Sequence, residues 1–251
     1  MASSTATTTN NNTTTDAPVF VSKETLRRII SDIKDIRKNP LSEHGIYYEH
    51  DEADMLCGKA MIIGPKDTPY ADGFYFFKLK FPTNYPHAPP KVTFCTNDGV
   101  TRFNPNLYRC GKVCLSILNT WQGDQWSGCQ TLSSVLLAIC TVLNNEPLLN
   151  EPGFTRSSPD FNNYNEIIKY KNIEVAILGM LNSLKDDPEH EFSLFGDVIN
   201  EHFQKSKEDI RQRVEKEMKN NIEGEYICNT SVYHLSVKIN YKKLLTVLNS
   251  C

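Results

Sequence analysis

The chain lacks a long apolar stretch, a basic surplus and any paired cysteine–histidine pattern, and each absence removes a class of function. Its longest unbroken apolar run, residues 135–140, has six members, against the roughly 20 a membrane span needs. No membrane association is therefore expected. The 27 Lys and Arg against 30 Asp and Glu leave a net charge of −3, without the basic excess of a general nucleic-acid binder. Nothing basic precedes Lys23 and no apolar core lies before it, so no secretory signal is expected. The eight cysteines are then expected as reduced thiols in a cytoplasmic or nuclear compartment. Cys110-x3-Cys114 lacks the paired spacing of a zinc site, with no histidine close by in sequence.

What is present divides along the chain. Residues 3–15 are almost entirely Thr, Asn, Ser and Ala, which cannot fill a core, so residues 1–18 are expected as a disordered tail. Leu26, Ile29, Ile30, Ile33 and Ile36 follow helical spacing, with Ser22 as N-cap. Residues 23–38 hold six basic and three acidic side chains. That stripe is either a solvated face or a docking surface for an acidic partner. Residues 55–63, 74–81 and 92–96 are rich in aromatic and β-branched side chains and are separated by breaker clusters. They read as an antiparallel meander, with no intervening helix to build a parallel sheet.

Periodicity fails over residues 101–128, a polar stretch dense in Asn, Gly and Trp. Long aperiodic segments inside a compact domain are functional or disordered, and the embedded aromatics with Leu115, Ile117 and Leu118 argue for order. Trp121 and Trp126 are expected as loop anchors. Helical patterning returns at 132–143 and 163–184. Beyond Pro188, the Val198, Phe203, Ile210, Val214 and Met218 spacing suits a helix, the alternation of Tyr233, Leu235, Val237 and Ile239 a strand, and residues 244–248 a short helix. His190, His202 and His234 are expected to be solvated.

The aperiodic segment carries a candidate nucleophile. Cys114 follows Lys112 by two residues and Asn106 by eight. A cysteine acts as its thiolate, which a nearby cation favours, and an amide N–H can stabilise an oxyanion. The plain alternative is a small buried hydrophobe. A cysteine protease would need a histidine base, and His44, His50 and His87 lie in no recognisable motif.

Three ordered motifs resemble the ubiquitin-conjugating enzyme family. Pro65, Asp67, Thr68, Pro69, Tyr70 and Gly73 resemble its hairpin. Phe81-Pro82 through Tyr85-Pro86, then Pro89-Pro90-Lys91-Val92, resemble its proline-rich loop. Pro105-Asn106 with Gly111 to Leu118 resembles its catalytic segment. Phe103-Asn104-Pro105-Asn106, Asn150-Glu151-Pro152-Gly153-Phe154 and the long C-terminal part resemble the large Z-type branch. The resemblance implies an α+β fold with an N-terminal helix, a four-stranded antiparallel meander and C-terminal helices. The catalytic domain would cover residues 19–184, followed by a C-terminal extension over 185–251.

By the same resemblance, Cys114 accepts ubiquitin or a ubiquitin-like protein as a thioester from an activating enzyme, either the general one or a dedicated alternative. It then passes the modifier to a substrate lysine or to a ligase. Asn106 stabilises the oxyanion or holds the loop, and Ser116 lines the gate. Asn150 or Glu151 stands where the family often carries an acceptor-side acid. Lys23, Arg27 and Arg28 would dock the activating enzyme, while His87, Ser127 and Gly128 lie in the ligase-contact loops. No metal or small cofactor is implied, since ATP is consumed upstream. A non-catalytic module of the same fold is the alternative, though such variants typically lack the cysteine.

The sequence departs from the family's pattern at four places. Asn104 replaces a histidine read as structural, and a short insertion spans 119–125. His87 replaces an apolar residue, and Ser127-Gly128-Cys129 replaces a Ser-Pro-Ala-like turn.

Overall fold

The computed structural model describes residues 20–220 and 224–251; the expected tail, residues 1–18, lies outside them. Helix α1 (Lys23–Lys38) opens on Ser22, whose Oγ accepts the Thr25 amide at 3.0 Å and so satisfies a free helix-start donor. It buries Ile29, Ile33 and Ile36 together with Asp32. Ile30, expected on that stripe, is instead 41% exposed, because it sits about 100° round the helix from Ile29.

The α+β architecture with a four-stranded meander is present. Strands β1 (Ile46–His50), β2 (Cys57–Ile63), β3 (Phe74–Lys80) and β4 (Lys91–Phe94) run antiparallel in the order β1-β2-β3-β4, with Met61 opposite Phe76 and Phe77 opposite Phe94. The β2–β3 turn requires Gly64, since a Cβ there would lie 1.7 Å from the Tyr70 carbonyl oxygen.

The run Phe74-Tyr75-Phe76-Phe77 is fully buried, which marks a strand covered on both faces. On one face Tyr75 and Phe77 pack edgewise or tilted against Phe103 and Phe94. The Tyr75 hydroxyl donates to buried Asn172 at 2.6 Å. On the other face the C-terminal extension does the covering. Phe192 stacks on Phe76 with centroids 4.5 Å apart, and His202 meets the edge of Phe74.

Helices α2 (Leu132–Val142) and α3 (Phe161–Lys171) follow the expected patterns. The helix expected over 163–184 is not uniform. It widens to π geometry over Asn172–Gly179 before α4 (Met180–Asp186), where Asn172 turns its side chain inward to Tyr75 and to the Ala71 carbonyl.

Helix α5 (Gly196–Asn220) buries Ile199, Phe203, Ile210 and Val214. A hairpin of β5 (Tyr226–Thr230) and β6 (Leu235–Ile239) rests on α3, and α6 (Tyr241–Ser250) packs on α5. One apolar cluster runs without interruption from α1 through the sheet to α6.

Two expectations are corrected by this packing. His202 is not simply solvated: its Nε2 lies 2.9 Å from Asp72 Oδ1, and Arg213 reaches the other carboxylate oxygen at 2.6 Å. The strand expected from Tyr233 begins at Leu235, because Tyr233 has φ +58°.

Candidate active site

After β4 the chain loses regular structure but not hydrogen bonding. Asn104 is fully buried. Its Nδ2 donates to the Tyr70 hydroxyl and to the Val142 carbonyl, both at 2.7 Å, and its Oδ1 accepts the Asn106 amide at 2.9 Å. A tight turn follows, with the Gly111 amide donating to Tyr108 at 2.9 Å. Gly111 sits at φ +85°, and a Cβ there would come 3.0 Å from the Phe94 carbonyl oxygen, so glycine is the residue that fits.

The turn lays Cys114 beside Asn106. The Cys114 amide donates to the Asn106 carbonyl at 2.9 Å, and Asn106 Nδ2 donates to the Cys114 carbonyl at 2.7 Å. The Nδ2 contact ties the Asn106 side chain to the Cys114 backbone across the loop. Its Oδ1 is buried without a hydrogen-bond partner among the described residues.

Cys114 as a residue is 3% exposed, and its Sγ donates to the Thr120 carbonyl at 2.9 Å. The inserted residues 119–125 fold back to supply that carbonyl. Thr120 Oγ1 clamps them by accepting the Leu115 amide at 2.9 Å. Gly123 lies over Ser116, where a Cβ would stand 3.2 Å from the serine Cβ. Ser116 therefore sits beneath the insertion, next to the thiol segment. Trp126 anchors the end of the loop through Nε1 to the Pro86 carbonyl at 2.7 Å. Trp121, expected to anchor as well, is 46% exposed. An open groove of about 450 Å³, bounded by Val92, Lys112, Leu118 and Thr120, adjoins the site.

Asn150 joins the scaffold. Its Nδ2 donates to Asn104 Oδ1 at 3.3 Å and to the Val142 carbonyl at 3.0 Å, and its Oδ1 accepts from Asn144 at 2.8 Å. The neighbouring Glu151 carboxylate is bonded differently: it accepts the hydroxyl of Tyr233, from the C-terminal extension. Arg102 lies over the Tyr108 ring at 3.4 Å and the Tyr233 ring at 4.6 Å, and donates to the Asn104 and Pro105 carbonyls at 3.3 and 2.5 Å. The sequence carried no signal for Thr120, Tyr70 or Tyr233 as site residues.

The other expected residues fall into two groups. Lys23 and Arg27 are exposed on α1. Arg28 is not free beside them: its guanidinium bonds Asp32 at 2.9 Å and the Gly128 carbonyl at 2.7 Å, spending its donors inside the fold. His87 is exposed, 3.4 Å from Glu24, and Ser127 and Gly128 are exposed on the neighbouring loop tied down by Trp126 and Arg28.

Among the described residues no group of three or more His, Cys, Asp or Glu side chains is placed to hold a metal ion. No helix there is long and apolar enough to cross a membrane. All eight cysteines are free thiols.

The helix, meander and cysteine-bearing segment are those of the ubiquitin-conjugating enzymes, and the family's model matches residues 28–171; the chain belongs to that family. Among curated proteins it is similar to ubiquitin-conjugating enzyme E2 Z of Xenopus tropicalis, 47% identical over 163 residues, which cover 64% of this chain and 51% of the relative. The Homo sapiens protein of that name is 45% identical over 169 residues, covering 66% and 47% of the two chains. The probable ubiquitin-conjugating enzyme protein 17 of Caenorhabditis elegans is 36% identical over 206 residues, covering 77% and 27%. The chain thus spans about half the length of the E2 Z relatives.

Proposed function

We propose that this protein carries ubiquitin or a ubiquitin-like protein as a thioester on Cys114. The observation that carries the reading is the pairing of Cys114 with Asn106 by reciprocal hydrogen bonds in an ordered, aperiodic loop. The Cys114 thiolate attacks the thioester carbonyl on the activating enzyme, and that enzyme's cysteine leaves as thiolate. A substrate lysine amine, or a ligase cysteine, then attacks the Cys114 thioester. Where the nucleophile is an amine it loses a proton, an isopeptide bond forms and Cys114 is released. The thioester already stores the activation energy, so the protein's work is to position and desolvate the nucleophile. No resident cofactor takes part in this reading.

Asn106 frames the carbonyl from the side. Its Nδ2 keeps the loop closed, while its unpartnered Oδ1 is free to receive a donor. Lys23 and Arg27 are the exposed cations of α1 for docking an activating enzyme, whether general or dedicated. His87, Ser127 and Gly128 form a joined surface for ligases. The reduced thiols suit a cytoplasmic or nuclear setting.

The test is incubation with activating enzyme, ATP and modifier in the absence of reductant. An adduct that is cleaved by thiols, survives denaturation and is missing in Cys114→Ala is expected. Failure of a panel of activating enzymes and modifiers to give any adduct would refute enzymatic transfer. A complex that falls apart on denaturation would identify a binding module instead.

A further inference from the structure

The strongest unabsorbed feature is the contact between the C-terminal extension and the rim of the active site. Tyr233 lies more than a hundred positions after Cys114, yet its hydroxyl donates to the Glu151 carboxylate. Its backbone is left-handed, φ 58° and ψ 4°, a conformation that costs a non-glycine residue energy and persists only where surroundings enforce it. Several contacts enforce it here. Arg109 donates to the Tyr233 carbonyl. The tyrosine ring lies 4.6 Å from the Arg102 guanidinium and 5.9 Å from the Tyr164 ring. The hairpin around it is tied to α3 by the Ser231 and Val232 amides, which donate to Asp160 at 3.0 and 2.8 Å.

Glu151 is the carboxylate to which this structure is directed. It follows Asn150, whose amide belongs to the network holding Asn104 and Asn106. It forms no salt bridge with a cation among the described residues. A phenol holds one carboxylate oxygen in place without cancelling the group's charge, which an ammonium or guanidinium partner would do. Burial, reinforced by Glu151 itself, pushes the Tyr233 phenol well above the ordinary tyrosine range, so it stays a donor.

We propose that Tyr233 is a positioning residue that orients Glu151 toward an incoming lysine ammonium, making the C-terminal extension part of the acceptor side of the active site. The inference rests on the thioester reading above. In it the Tyr233 hydroxyl fixes Oε2 of Glu151 and leaves Oε1 to draw in the ammonium. The ammonium gives a proton to solvent water, and the neutral amine attacks the thioester carbonyl. The C–S bond breaks to release the Cys114 thiolate as the amide forms and the second amine proton passes to solvent.

The test compares two small acceptors on preformed ubiquitin thioester, purified from the activating enzyme: free L-lysine, which arrives as a cation, and hydroxylamine, which is uncharged at neutral pH. Tyr233→Phe keeps the ring and its stacking on Arg102. It is expected to lower the lysine-to-hydroxylamine rate ratio about three- to tenfold, the scale of the net contribution of one ordinary hydrogen bond, through a raised KM for lysine. Glu151→Gln should lower the ratio at least as far, and the double variant no further than Glu151→Gln alone. An equal loss toward both acceptors assigns Tyr233 a merely structural role and overturns the proposal, as does an unchanged ratio. Absence of thioester on the wild-type protein removes the earlier reading and this one with it. A normal wild-type thioester whose discharge ignores Tyr233→Phe removes this one alone.

Discussion

Replacing Asn104 by alanine separates a structural role from a chemical one at the position where relatives in the family usually carry histidine. The side chain is fully buried and makes four hydrogen bonds. Three of the partners keep a second contact after truncation: the Tyr70 hydroxyl still donates to the Phe103 carbonyl at 2.7 Å, and Asn150 Nδ2 and the Val142 carbonyl still meet at 3.0 Å. Only the Asn106 amide loses its acceptor outright. A buried donor left unpaired costs about 1–3 kcal/mol, and the weakened contacts add about 0.5–1.5 kcal/mol. The expected loss is therefore about 2–4 kcal/mol in urea denaturation. Asn104→Asp should cost more, because it points oxygen at the Val142 carbonyl in place of an N–H donor. Discharge of the thioester to lysine should slow in both variants. For Asn104→Ala the shape of its pH profile should match the wild type, because asparagine does not titrate. A variant of unchanged stability with collapsed discharge would refute the scaffold role.

Three further outcomes follow from the packing and charges. Phe192→Ala removes a ring stacked on Phe76 and should cost about 3–5 kcal/mol, with faster proteolysis of residues 185–251; an unaffected stability would show that the extension does not seal the sheet. Burial opposes ionisation of Asp72, but the His202 hydrogen bond and the Arg213 guanidinium outweigh it and hold the carboxyl below the usual range. A depressed folded-state pKa contributes stability above the unfolded value of about 3.9 and loses it as pH falls through the folded one. Asp72→Asn should therefore cost about 1–3 kcal/mol at neutral pH, with the gap to wild type closing in acid denaturation series; a gap that is constant with pH contradicts the assignment. Arg28→Ala should lower the denaturation midpoint, since its guanidinium ties α1 to the Gly128 loop, whereas Lys23→Ala and Arg27→Ala should slow charging at unchanged midpoint. The reverse pattern would return Arg28 to the docking surface.

How much of this was legible in the sequence follows from which interactions are local. The α1 stripe, the β2 and β3 runs and the α2 pattern announce themselves because burial repeats at 3.6 or 2 residues. Strand β1, Ile46–His50, escaped because Tyr47 and Tyr48 stand side by side and blur the alternation. Strand β5 escaped because Tyr226–Thr230 alternates only weakly and its apolar Ile227 is 64% exposed. The thiol and Asn106 were legible from their short-range motif. The Asn104 network was not, because its partners Tyr70, Val142 and Asn150 lie 34 to 46 positions away and side-chain hydrogen bonds leave no periodic trace. Thr120 was hidden for the opposite reason: its backbone carbonyl, not its side chain, meets the sulfur, and a carbonyl is common to every residue.

A bare four-stranded sheet with a helix on one side offers its opposite face as a platform. Here that platform is already taken. Phe192 and His202 occupy Phe76 and Phe74, and Lys59 and Lys78 at its far end are drawn to Glu191. A second protein seeking that face would compete with a segment tethered to it at high effective concentration. A partner recruited without a covalent bond would then meet the loops and edges that surround Cys114 more readily than the flat side of the molecule.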